Sequence, residues 1–300
     1  MPLDPKQVRI QSAALDREIT AMVGDFEREL ARVYVQLRER IVFLTNELIA
    51  KGGRVASVAV NLGIARAAAR ELEAVLVEAG YGDLVAGALD VMGDLAKYQG
   101  LGQTMVARVE RAAAWSGETL DAFRQLKLNE LLEVTAGTMR RVEQTLLRGI
   151  VGAQDRGELL NELVADLEVS LPNARTIYDT ALSEFSRIAV TSTATGAADE
   201  AFMYSGPIDG LTRPFCLERV GRVFVREAID AMDNLQLDNT LITGGGYNCR
   251  HTWLPIPAED DLAQLAGTDA YVDAEAEREV GEAGAARERL KVARRQTRGN

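Results

Sequence analysis

Sulfur and imidazole are scarce in this chain: its 300 residues include two cysteines and one histidine. Two thiols cannot build a disulfide-dense secreted scaffold, so a core has to come from apolar burial. Proline is absent between Pro5 and Pro172. An interior proline costs a helix about 3 kcal/mol, so this gap permits long helices without proving them. Aromatic residues make up only 5%, while Ala, Leu, Val and Glu are abundant, a balance that favours helix over sheet. No apolar run approaches ~18 residues, which leaves no transmembrane helix to expect. The opening MPLDPKQVRIQ has no basic, apolar leader. Positive charge is in deficit: 34 Lys and Arg against 45 Asp and Glu leave a net charge of −11. A phosphate-binding face needs a basic excess, so most of this surface is excluded as a nucleic-acid platform. A soluble chain made in a reducing compartment is expected.

The first segment carries a helical stripe. Leu15, Ile19, Met22, Phe26, Leu30, Val33, Leu37, Ile41, Leu44 and Leu48 are spaced by threes and fours, nine steps over 33 residues. That spacing predicts one long helix docked on its own core, with a partner-chain coiled coil as the alternative. Lys51-Gly52-Gly53 stops it. Further helices are predicted over Val55–Glu78, Leu84–Tyr98, about Gln103–Trp115, from Ser116 through Leu131, Thr135–Val151 and Glu158–Leu167. Another begins near Pro172 and is drawn as a single helix to about Tyr204, despite the weak helix formers from Val190 to Gly196.

After Tyr204 the composition changes. Residues 205–257 hold four of the seven prolines, both cysteines and the only histidine. GPIDGLTRPFC reads as turns, VGRVFV as a short strand, Glu227–Met232 as a short helix, Gly244-Gly245-Gly246 as a flexible loop, and CRHTWLPIP as an extended run. Nine acids between Glu259 and Glu282 face Arg278 alone. Arg287, Arg289, Lys291, Arg294, Arg295 and Arg298 then stand against Glu288. Such charge blocks read as a solvated tail. The expected fold is mainly α: an all-helical body over residues 1–170, a small α+β module over 171–258, and a charged tail over 259–300.

Cys216, Cys249 and His251 lie within 36 positions of one another. Thiolate and imidazole together suit a tetrahedral zinc site that needs a fourth ligand, and Asp209 and Glu218 are the nearby carboxylates. In an extended strand Cys249 and His251 would share a face. Two other readings stay open: a Cys216–Cys249 disulfide, and two buried thiols beside a hydrogen-bonded histidine. No nucleophile elbow, phosphate loop, dinucleotide fingerprint or HExxH is present, so no enzyme is expected and no catalytic residue is assigned. A hydrolase or transferase using Cys249 and His251 is the remote alternative.

The segment Ala201–Ile256 resembles the phage Mu F-like, or head morphogenesis, family of minor head proteins. The residues that carry the resemblance are Asp209-Gly210-Leu211-Thr212-Arg213-Pro214-Phe215-Cys216, Gly221-Arg222-Val223-Phe224 and Tyr247-Asn248-Cys249-Arg250-His251-Thr252-Trp253-Leu254-Pro255. The helix rich in small polar residues that precedes this module in the family matches Arg187–Glu200. The resemblance implies a non-enzymatic virion protein at the portal vertex of the head, present in the host cytoplasm during assembly. It would act in head assembly and in DNA packaging or ejection. Asp209, Thr212, Arg213, Cys216, Cys249, Arg250 and His251 would hold the module together, with zinc as the possible metal. The implied partners are the portal and other capsid or neck proteins; the apolar stripe of the first helix adds further copies of the chain, in a ring, as a candidate partner. The basic end, Arg287 to Arg298, is the piece expected to touch DNA weakly, and no membrane contact is expected. The competing class is a prophage or cellular helical binding protein with a zinc-stabilised module. Only 43 residues follow Pro257, too few for an appended enzyme.

Overall fold

A computed structural model describes residues 4–98, 117–191, 200–256 and 260–298. The chain is mainly helical, as its composition requires. Helix α1 runs Pro5–Glu47; a tight hairpin of β1 (Ala50–Lys51) and β2 (Arg54–Val55) follows; then come α2 (Ala59–Glu78), α3 (Tyr81–Tyr98), α4 (Gly117–Val151), α5 (Arg156–Glu168) and α6 (Ser170–Thr191). The carboxyl part alternates short elements: β3 (Ala201–Ser205), α7 (Pro214–Leu217), β4 (Val223–Val225), α8 (Arg226–Asp230), α9 (Thr240–Thr243) and β5 (Thr252–Ile256). A 3-10 turn at Asp261–Leu265 and helix α10 (Ala274–Arg298) follow.

Two compact units divide the chain, and they cut across the sequence blocks 1–170, 171–258 and 259–300. One comprises Ala21–Val91 and Glu118–Asp179; the other comprises Met1–Thr20, Met92–Gly117 and Thr180–Asn300. The charged end and the first turns of α1 therefore belong with the small module.

The first unit is helical. The α1 stripe is buried from Phe26 through Leu30, Val33, Leu37, Ile41, Leu44 and Leu48, with Met22 half-buried. Leu72, Val85, Leu89, Leu131, Val142, Leu146, Ile150, Leu159 and Leu163 complete its apolar interior. Gly52 and Gly53 both take positive φ in the β1–β2 turn. The predicted stop at Lys51 thus falls in a hairpin, and α2 starts four residues later than Val55. Asn61, fully buried, bonds the main chain of Ile49 and Ala56 and fixes that hairpin against α2. Asp155 caps α5 through the amides of Gly157 and Glu158. The two helices expected on either side of Leu131–Thr135 are one: Thr135 sits within α4, and its hydroxyl donates to Tyr81. The helix expected over 103–115 lies outside the described residues.

The second unit is built on a three-stranded antiparallel sheet in the order β4-β3-β5. The single helix predicted to run to Tyr204 does not reach it: α6 is described over Ser170–Thr191, and residues 201–205 are the central strand. All five of those residues are buried, because both faces of β3 are covered. Ala201 and Met203 pack with Val8, Val190, Val223, Leu254 and Ile256 on one side. Phe202 and Tyr204 pack with Cys216, Val220, Ile229, Leu241, Cys249 and Trp253 on the other. The small module thus has an apolar layer on each side of its sheet.

The charged end does not behave as a free tail. Asp273 caps the start of α10 by accepting from the amides of Glu275 and Ala276. Arg9 of α1 reaches Asp273 at 3.0 Å, Glu275 at 2.8 Å and Glu279 at 2.8 Å. Cations supplied from the start of the chain, Arg9 foremost with Lys6 3.7 Å from Glu275, offset the acid block, so the first half of α10 is ordered by pairing.

Candidate metal centre

Cys216 lies within α7, the one-turn helix that Pro214 opens and Leu217 ends. The preceding turn is a closed hydrogen-bond circuit. Asp209 Oδ1 accepts from the amides of Leu211 and Thr212, while Thr212 Oγ1 donates to the Pro207 carbonyl. Arg250 ties this circuit to the other end of the motif: its guanidinium donates to Asp209 Oδ1 at 2.6 Å and lies 3.5 Å from Asp16 Oδ2. The hydrogen bond from Arg250 is the main reason the Asp209 carboxyl falls to about 2, with the Leu211 amide and Arg250's charge helping against partial burial. Burial moves Asp16 the other way, above the usual carboxylate range, against the pull of Arg250.

The Gly244-Gly245-Gly246 segment is a structural turn rather than the flexible loop its composition suggests. Gly244 and Gly246 hold φ of +59° and +92°, and all three glycines are buried. The Gly245 amide donates to Cys249 Sγ at 3.0 Å. Asn234, buried, bonds Thr243 Oγ1 and the Gly244 carbonyl and fastens the turn from outside. Arg213 reaches the Gly245 carbonyl at 2.8 Å and Gln236 at 2.7 Å.

These restraints bring the scarce residues together. The sulfurs of Cys216 and Cys249 are 3.8 Å apart and both thiols are free. One ligand atom each from Cys216, Cys249 and His251 lie within 4.8 Å of one another, and all three residues are buried. The disulfide alternative is therefore not the state observed. Strand β5 begins only at Thr252, so Cys249 and His251 do not share a strand face; Asn248, at φ +52°, turns the chain so that both still point inward.

The thiols are not equivalent. The hydrogen bond with Cys216 and the charge of Arg187 push the Cys249 thiol well down despite its burial, whereas hydrogen bonding with Cys249 and burial push Cys216 up. Arg187, 1% exposed, donates through Nε to the His251 carbonyl at 2.6 Å and through a terminal nitrogen to the Ile242 carbonyl at 3.0 Å; its other terminal nitrogen donates to the Cys249 carbonyl. This buried cation sets the backbone on both sides of Arg250. Tyr204 is fully buried, and its hydroxyl lies 3.4 Å from Cys216 Sγ and 3.5 Å from Cys249 Sγ. Its ring stacks on His251 at 5.4 Å and packs on Trp253 at 4.2 Å. Burial holds the Tyr204 hydroxyl well above its ordinary range.

Two expectations fail. Asp209 is engaged by Arg250, and the Glu218 side chain is 70% exposed and paired with Arg219; neither joins the sulfur and imidazole group. Three contributors are not marked as such in the sequence: Tyr204, Arg187 and Gly245. The glycine triplet four residues before a cysteine was the available signal for Gly245. Tyr204 and Arg187 both fall on the single helix that the sequence predicts, where nothing marks them out.

The donor set fits a thiophilic divalent ion. Two thiols and an imidazole converge, all buried, and His251 Nε2 is buried with no hydrogen-bond partner. Comparison of the chain with protein-family models, curated proteins and solved structures gives no match.

Proposed function

We propose that this chain is a structural minor head protein of a tailed bacteriophage, associated with the portal vertex and acting in head assembly and in DNA packaging or ejection. The observation that carries the reading is convergence. Asp209, Thr212, Arg213, Cys216, Cys249, Arg250 and His251, the residues of the resemblance, sit in one continuous network around the sulfur pair. Their partners are main-chain groups, one another and the side chains of Asp16, Tyr204 and Gln236, as in a device that fixes a shape. Cys216, Cys249 and His251 would hold zinc, and the ion would act as a staple across turns that contain little regular structure.

The helical unit and the acidic surface are suited to binding protein, either the portal ring or further copies of the chain. The basic half of α10 is the part suited to weak contact with packaged DNA. Two experiments test this. Mass spectrometry of purified particles from the producing strain should find the chain in fixed ratio to the portal; its absence from particles, with abundant protein in the lysate, overturns the assignment. Metal analysis of protein purified under reducing conditions should give one zinc per chain, lost in Cys216→Ser. A wild-type chain that takes up no zinc on reconstitution overturns the staple.

A further inference from the structure

The zinc reading leaves one corner of the tetrahedron unassigned, and the two carboxylates nearest in sequence are engaged elsewhere. Among the described residues, the Tyr204 hydroxyl is an oxygen within 3.5 Å of both sulfurs. Its height above the sheet is fixed, because Tyr204 pairs with Trp253 in the β3–β5 register and is fully buried.

A zinc ion with bonds of ~2.3 Å to sulfur and ~2.0 Å to oxygen has tetrahedral edges of about 3.8 Å between sulfurs and about 3.5 Å from sulfur to oxygen. The observed separations are 3.8 Å between the sulfurs, and 3.4 and 3.5 Å from oxygen to sulfur. We propose that Tyr204 is the fourth ligand, so that the site is Cys216, Cys249, His251 and Tyr204 around one divalent ion. The inference rests on the metal reading above. The imidazole, within 4.8 Å, is the corner that moves in on loading, and its stacking on the Tyr204 ring gives it a surface to slide along. The ligands bind as thiolates and a phenolate, so whatever protons they still carry leave to solvent on loading, and uptake strengthens as pH rises.

Thiol–hydroxyl hydrogen bonds have similar lengths, so the test has to read the ligand field and the phenol itself. The full chain, reduced, is titrated with cobalt(II) and separately with zinc(II), as wild type, Tyr204→Phe and Cys216→Ser. Wild type should take up one cobalt with the intense visible bands of a tetrahedral site and sulfur-to-cobalt charge transfer. Zinc uptake by wild type should produce the near-ultraviolet difference band of a tyrosine that has lost its proton. Tyr204→Phe keeps the ring and its stacking; it should retain the charge transfer, shift the visible bands, lose the tyrosine band and bind about 10–100-fold more weakly. Cobalt uptake with identical visible bands in Tyr204→Phe, and no tyrosine band in wild type, would remove Tyr204 from the site while leaving the metal reading intact. No uptake by wild type would remove both. The wild-type zinc difference spectrum decides the point even where the variant does not fold.

Discussion

A methyl group added at Gly245 would sit 2.5 Å from Cys216 Sγ and 3.3 Å from Cys249 Sγ. Neither sulfur is the end of a flexible chain, so Gly245→Ala should cost about 1–3 kcal/mol by overpacking, read as a lower urea midpoint. It should also weaken zinc uptake, since relief of the clash spreads the sulfurs. Gly210, with open space around its added carbon, is the control, and Gly210→Ala should leave both measurements near wild type. The Asp209 carboxyl offers a second reading at this scale. Its folded value of about 2 lies below the ordinary 3.8, so its stabilisation is fully present above the ordinary value and is lost as pH falls towards 2. The side chain is 41% exposed, and solvent screening reduces its contribution to about 1 kcal/mol. Asp209→Asn should therefore be less stable than wild type at pH 5, with the gap closing by about pH 2. Asp16, pushed up chiefly by burial, contributes the opposite slope just above its ordinary value, so the difference between the two denaturation series is the quantity to follow. A gap that stays constant from pH 5 to pH 2 would mean that the Arg250–Asp209 pair does not titrate as the geometry requires.

Helix α10 depends on an element at the far end of the chain. Arg9 is 17% exposed, and Asp273, its partner at 3.0 Å, is 8% exposed. Arg9→Ala leaves that carboxylate and Glu279 without their cation, and should cost about 2 kcal/mol. Amide exchange should accelerate in the first turns of α10 while the helical unit is unaffected; equal acceleration in both would sink the pairing account. This dependence also explains what could be read from the residues in order. The α1 stripe was legible because burial of one helical face leaves a period in the sequence. The acid block was not, because its counter-charge stands more than 260 positions earlier and no local pattern announces it. Strand β3 was missed for a related reason: AFMYS is buried on both faces, so the alternation that marks a half-covered strand is absent. In the site, Cys216, Cys249 and His251 stand out by rarity and by their place in the two motif runs. Tyr204 and Arg187 do not, since the first lies in a strand that carries no alternation and the second works through main-chain carbonyls that no motif encodes.

Charge decides how the whole molecule meets its surroundings. At −11 overall it should repel duplex DNA, yet six basic residues against one acid, a local +5, close the chain between Arg287 and Arg298. These residues lie in the half of α10 beyond the acids that Arg9 holds. If that half is the DNA-facing end, binding should be weak, independent of sequence and dominated by counterion release. The logarithm of the association constant should then fall with the logarithm of salt at a slope between about −3 and −5, near −0.9 for each phosphate neutralised. Replacing Arg294, Arg295 and Arg298 with glutamine should flatten that slope by about 2–3 and lower affinity at low salt, without changing the denaturation midpoint. Fluorescence anisotropy with a short labelled duplex, from low to moderate salt, measures both quantities. Binding that survives the triple substitution with an unchanged slope would place the contact on another face. A wild-type chain that fails to bind even at low salt would show that the negative field of the molecule outweighs its basic end.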